Sequence, residues 1–206
     1  MKTIHLALLL IVIVITSSTA NVFAYSGIVL IHHSSAKPTG CLATPGPQIN
    51  WSNCKMAHTE IYFADMNGAN LSKTDAMNAL FYNVNLSGAN LKNAVLSEGN
   101  FAYSNLSGAD LRGADLRNID FYHTNLSGAN LVGANLQEAR FPGVDFSNAK
   151  LAGQNIHHTN MIGANLQNAD LQNTILTNVD MRGAIFDGAN LKGVDFRYSD
   201  ITEEVL

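Results

Sequence analysis

Few side chains in this sequence are of a type and spacing that could do chemistry. Cys41 and Cys54 form an even pair early in the chain. Such a pair closes a disulfide when the chain enters an oxidising compartment. His157 and His158, with Glu138 twenty residues before the second, are metal-ligand types. Two imidazoles from one strand and one carboxylate are an incomplete set, so these read as surface histidines and no metal is expected. No nucleophile elbow, phosphate loop, H-E-x-x-H or C-x-x-C is present, so neither catalytic residues nor a cofactor are expected. Aromatic spacing is the remaining signal. Tyr62, Tyr82 and Tyr122 are separated by twenty or forty residues, and Phe63, Tyr103 and His123 follow the same rhythm one residue on. If these six face outward together, they offer rings to a protein, peptide or sugar ligand.

Whether they do depends on the elements that carry them. Counting in fives from Trp51 gives Met56, Ile61, Met66, Leu71 and so on to Leu206; of 32 positions, 31 are large and apolar and only Ala76 is small. Two residues before most of them lies a small side chain, alanine in 15 cases, as at Ala69, Ala89 and Ala109. The residue between is usually Asn or Asp, and 12 of the 16 glycines fall two residues after the large one. A helix would turn five residues through a net 140° and scatter the large side chains, so it defines no apolar face. An extended tripeptide works: small residue in, Asn or Asp out, large residue in, then a bend where glycine accepts positive φ.

A second period sets the number of sides. Phe81, Phe101, Phe121 and Phe141 are twenty apart, and the phrase Asn-Leu-Ser-Gly-Ala begins at Asn85, Asn105 and Asn125. Twenty residues make four pentapeptides, so residue n is expected to stack on n+20 in a four-sided coil. Ile61, the four phenylalanines, Met161, Met181 and Ile201 then fill one interior column, and Trp51, Leu71, Leu91 and their successors another. About eight coils at β spacing give a rod roughly 35–40 Å long. Gln154 falls on a small inward site, where a local distortion such as a bulge is expected, and Glu204 does the same, which ends the regular coil near Ile201. The outward Asn and Asp columns are expected to form ladders between coils.

This A-(N/D)-L-x-x register, running from Trp51 to about Ile201, resembles the pentapeptide repeat family. The resemblance implies an all-β fold, a right-handed quadrilateral β-helix, and no shared catalytic residues. It divides the chain into a leader (1–24), an irregular N-terminal segment and cap (25–50), the β-helix (51–201) and a tail (202–206). The family includes DNA-mimicking topoisomerase inhibitors and proteins that dimerise. A homodimer through the C-terminal coil is therefore one expected partner, a contact that light scattering would report.

The N-terminus reads as a signal peptide: Lys2, an apolar run from Leu6 to Ile15, and Val22-Phe23-Ala24 before the cut. The run is too short to span a bilayer, and the rival reading is an uncleaved anchor. A cleaved chain is periplasmic or secreted, or resides in a thylakoid lumen if the source is photosynthetic, with no membrane contact after cleavage. The net charge of -4 becomes -5 once Lys2 is removed, which argues against nucleic acid as a partner. Arg112, Arg117, Arg140, Lys150, Arg182 and Arg197 interleave with the acids. That mixed charge, with the leader, disfavours the DNA-mimic alternative. The resulting expectation is an exported, non-catalytic binding or scaffold module with a Cys41–Cys54 bridge that pins a cap over the first coil.

Overall fold

The computed structural model describes residue 41 and residues 43–201. The leader, most of the segment before the repeat, and the tail with Glu204 lie outside the described residues. Within them the chain winds as a four-sided coil with parallel pairing between residues twenty apart, such as Asn70 with Asn90 and Asp110 with Asn130. Each side is too short to pair over more than one residue, except at β1 (Glu60–Tyr62) and β2 (Leu80–Tyr82). There the register is Glu60 to Leu80, Ile61 to Phe81 and Tyr62 to Tyr82. The ladder runs along the rod: Leu111 N–H donates to the Asn130 carbonyl at 2.8 Å, and Asn130 N–H to the Ala109 carbonyl at 2.9 Å. Backbone groups on the sides are thereby satisfied without a lateral sheet edge.

Most corners are β-turns. Cys54 N–H, for example, returns to the Trp51 carbonyl at 3.2 Å. The third turn residue has positive φ, as at Gly108 (66°) and Gly128 (66°), which is the φ signature of a type II turn and the reason glycine recurs there. The Asn or Asp ahead of the large residue has a local task that the repeat pattern alone did not suggest. Its Oδ1 accepts the N–H of the residue two further on, as from Arg112 to Asp110 and Ser87 to Asn85, both at 3.2 Å. The expected ladders occur only in places, among them Asn85 Nδ2 to Asp65 Oδ1 at 2.7 Å.

The interior follows the register. Phe81, Phe101, Phe121 and Phe141 are buried, with successive ring centroids 4.8, 5.8 and 5.8 Å apart. Hydroxyls at several small inward sites are satisfied by the coil below: Thr74 Oγ1 donates to the Trp51 carbonyl and Thr124 Oγ1 to the Phe101 carbonyl, both at 2.7 Å. Coil geometry also begins earlier than the large residues suggest. Gln48 (φ 57°) occupies a corner, and Asn50 pairs with Asn70, so residues 46–50 join the coil rather than the irregular segment. At the other end Leu191, Phe196 and Ile201 are only part-buried.

The Cys41–Cys54 disulfide is formed, with Cα atoms 5.8 Å apart. Cys54 occupies a small inward site and Cys41 packs against the core, so the bridge fastens the incoming chain to the first coil.

Gln154 distorts the rod, though not as a bulge. It stays inside the coil, and its Nε2 donates to the Leu131 carbonyl at 2.6 Å, the bond a threonine hydroxyl makes elsewhere in this column. The ladder to the coil below lapses beside this longer side chain. Among the described residues several ladder bonds are missing there, including Leu136 N–H to Asn155, Glu138 N–H to His157, Asn155 N–H to Ala134 and Asn160 N–H to Ala139. Their equivalents one coil either side are intact, at 2.9 Å from Leu116 to Asn135 and 2.8 Å from Ile156 to Ile175. The Thr159 hydroxyl, also buried, is left without a partner. Gln154→Thr keeps the inward bond with a shorter side chain and should close this seam. The expected gain is about 1–2 kcal/mol from regained ladder bonds, with slower amide exchange at Leu136 and Asn155. An unchanged melting temperature would show that Gln154 is not the cause.

Candidate binding surface

The six aromatic residues singled out by spacing meet along one corner of the rod. Tyr62, Tyr82 and Tyr122 lie just after the inward Phe column, and Phe63, Tyr103 and His123 occupy the turn position beyond it. The rings form an unbroken series. Tyr62 to Tyr82 is 6.4 Å between centroids, Phe63 to Tyr82 6.1 Å, Tyr82 to Tyr103 5.4 Å, and Tyr103 to Tyr122 5.5 Å. His123 closes it, stacked 5.8 Å from Tyr103 and edge-on 4.3 Å from Tyr122. The surface stays open: Phe63 is 52% exposed and Tyr103 47%. Tyr62 donates to Glu60 Oε2 at 3.3 Å. Partial burial, then the Glu60 charge, pushes its phenol above the usual tyrosine range. Tyr103 is shifted the same way, first by desolvation, then by the neighbouring phenols.

Strand propensity accounts for only half of this series. Phe63, Tyr103 and His123 sit at φ 55°, 60° and 50°, a conformation that costs a bulky L-residue energy and that the fold elsewhere gives largely to glycine and asparagine.

A groove of 340 Å³ runs beside the rings. Phe63, Asn83 and Tyr103 form one wall, Ala64 and Val84 the floor, and Asp65, Asn85 and Asn105 the other wall. This second wall escaped the sequence reading, which took the Asn column as a structural ladder. The available signal was that this column begins two residues beyond the aromatic corner. In the wall, Asn105 Nδ2 donates to Asn85 Oδ1 at 3.3 Å and Asn85 Nδ2 to Asp65 Oδ1 at 2.7 Å, so the row ends on a carboxylate.

The other reactive types do not converge. His157 and His158 are edge-on at 5.3 Å, and His157 Nδ1 lies 2.8 Å from Asn155 Oδ1. Among the described residues no three His, Cys, Asp or Glu side chains gather as a metal set would. Arginines occupy many acids. Arg112, Arg117, Arg182 and Arg197 each pair with the aspartate two residues before, at 2.5–2.7 Å. Hydrogen bonds from these guanidiniums hold all four carboxyls below the usual aspartate range.

The sequence profile of pentapeptide repeats matches eight copies, over residues 77–118, 114–153, 129–168 and 159–197. The chain belongs to the pentapeptide repeat family. Its fold is the family's right-handed β-helix, shared with solved structures of low sequence identity. Full-length QnrB1, described as a plasmid-mediated fluoroquinolone resistance protein, is 17% identical over 76% of this chain and 92% of its own, with a TM-score of 0.55. A trypsin-treated QnrB1 variant is 19% identical over 77% and 88%, with a TM-score of 0.50. HetL from the cyanobacterium Nostoc is 24% identical over 74% and 85%, with a TM-score of 0.37. No curated protein sequence is significantly similar to the chain. Pentapeptide repeat proteins are generally non-catalytic.

Proposed function

We propose that this protein is an exported, non-catalytic binding module that engages its ligand along the aromatic corner. The observation that carries this reading is the continuous series of six rings, three of them at turn positions of positive φ. Affinity capture from the exported compartment tests it. The mature protein should retain material that a Phe63→Asn, Tyr103→Asn variant does not. Asparagine already stands in that column at Asn83, so the turn survives the change. Equal retention by the two proteins would remove the corner from the function.

Export is supported by the apolar run from Leu6 to Ile15 and by a disulfide, a bond typical of oxidising compartments. Mature protein should begin at Tyr25 and fractionate outside the cytoplasm, as N-terminal sequencing would report. Intact Met1 on soluble cytosolic protein would revive the alternative, a DNA-mimicking topoisomerase inhibitor. That alternative needs a face of free acids, whereas Asp110, Asp115, Asp180 and Asp195 are each engaged by an arginine.

A further inference from the structure

Charge is distributed unequally around the rod. The two sides that meet at the aromatic corner are written in the ten-residue blocks 59–68, 79–88, 99–108 and 119–128. These blocks contain Glu60, Asp65 and Asp120 and no lysine or arginine. The intervening blocks form the opposite sides and carry Lys73, Lys92, Arg112 and Arg117. Every basic side chain in this half of the coil therefore faces away from the rings. Ring faces and carboxylates share one corner, and the first cation on these two sides is Arg140, which stacks on Asp120 at the far end of the ring series from Asp65.

We propose that the corner binds a basic peptide segment, with one arginine side chain lying in the groove between Phe63 and Tyr103 and its guanidinium at Asp65. This rests on the binding role of the corner proposed above and names the ligand's chemistry. Exposed rings attract a cation through their faces, and a guanidinium stacks on them better than an ammonium does. Asp65 is placed to complete the contact. Its Oδ1 accepts from Asn67 N–H at 3.2 Å and from Asn85 Nδ2 at 2.7 Å, which fixes the carboxylate plane. Its Oδ2 has no partner among the described residues and is free to receive a guanidinium N–H. The amide row Asn105 to Asn85 to Asp65 donates toward the carboxylate at each step. That row stabilises the charge on Asp65 and fixes the position of the carboxylate.

A peptide adding as a β-strand would need an unpaired backbone edge, whereas backbone groups at this corner pair between coils: Phe63 N–H donates to Tyr82 and Asn85 N–H to Ala64. Recognition must therefore come from side chains. A neutral glycan would use the rings but would gain nothing from the exclusion of lysine and arginine. A nucleic acid would meet the corner's negative charge.

The test uses the mature protein and three probes: a dodecapeptide of Gly and Ser with one central Arg-Gly-Arg, the same peptide with Gln for Arg, and a linear neutral oligosaccharide. Titration calorimetry gives affinity, and amide resonances locate binding. The arginine peptide should shift the resonances of Phe63, Asp65, Asn83 and Tyr103 and weaken with added salt. Its glutamine counterpart should bind about tenfold more weakly or less, since cation–π and charge-assisted contacts are both lost. Asp65→Asn and Tyr103→Asn should each reduce affinity several-fold, whereas Arg117→Gln on the opposite side should not. Both corner variants place residues that occur one coil away, at Asn85 and Asn83, so the fold is kept. If the glutamine peptide binds equally well, or only the oligosaccharide shifts the corner, the cationic ligand is wrong and the corner remains a binding surface. If no probe moves these resonances, or the peptide maps elsewhere, the arginine site is refuted. The capture experiment then decides separately whether the corner binds anything.

Discussion

Leu111→Asp should collapse the central coils, whereas Arg112→Asp, one residue away, should barely move the melting temperature. Leu111 is wholly buried in an interior column of leucines. A carboxylate there has neither water nor a partner, and the change also removes packing on both adjacent coils. Loss of the packing alone is worth about 2–5 kcal/mol, and the unpaired charge adds to it, so a loss of about 5 kcal/mol or more is expected. Arg112 faces solvent and is engaged only with Asp110. Breaking an exposed pair of this kind changes little. Urea titration of the two variants beside the parent protein measures the difference. Comparable losses would mean that the inward register is wrong by one residue, which would turn every side chain to the other face.

Removing the disulfide should be the second large effect, and it should be local. The bridge closes a sequence separation of 13 residues and ties Cys41 to the inward Cys54 of the first coil. A chain-entropy estimate for a loop of this size is about 3 kcal/mol. Coils of a rod contact only their neighbours, so the loss should appear at the end that the bridge secures. Trp51, the chain's one tryptophan, lies in that coil and is 2% exposed. In a Cys41→Ser, Cys54→Ser protein its fluorescence should shift to the red well below the main unfolding transition. Unfolding of tryptophan and bulk together, at the parent's midpoint, would mean that the cap contributes nothing.

The two predictions draw on different layers of information. The first needs only the five-residue register, and the structure places every residue of the Leu111 column as expected. The second needs the knowledge that Cys54 takes an alanine-type inward site, which the register also supplied. The candidate surface is divided. Tyr62, Tyr82 and Tyr122 were visible as a column, and so were Phe63, Tyr103 and His123. That Tyr82 bridges the two columns, with rings 6.1 Å from Phe63 and 5.4 Å from Tyr103, follows from side-chain rotamers, which spacing does not encode.

By itself the sequence determined the coil, its four sides, the inward columns and the angular position of every outward side chain. It could do so because the repeat is rigid: five residues make one side and one turn, and twenty return to the start. Interactions that depend on distance between coils required the tertiary structure. Gln154 was legible as too large for its site. Only the fold showed that it remains inside, bonds to Leu131 and opens the ladder between Leu136 and Asn155 instead of bulging outward. Asp65 looked like one more member of an outward ladder. It became half of a groove only when the corner brought it beside Phe63 and Tyr103. A periodic pattern fixes directions, because direction is repeated in every coil. The exceptions are made by single side chains of unusual length or shape, and their consequences appear only where neighbouring coils meet.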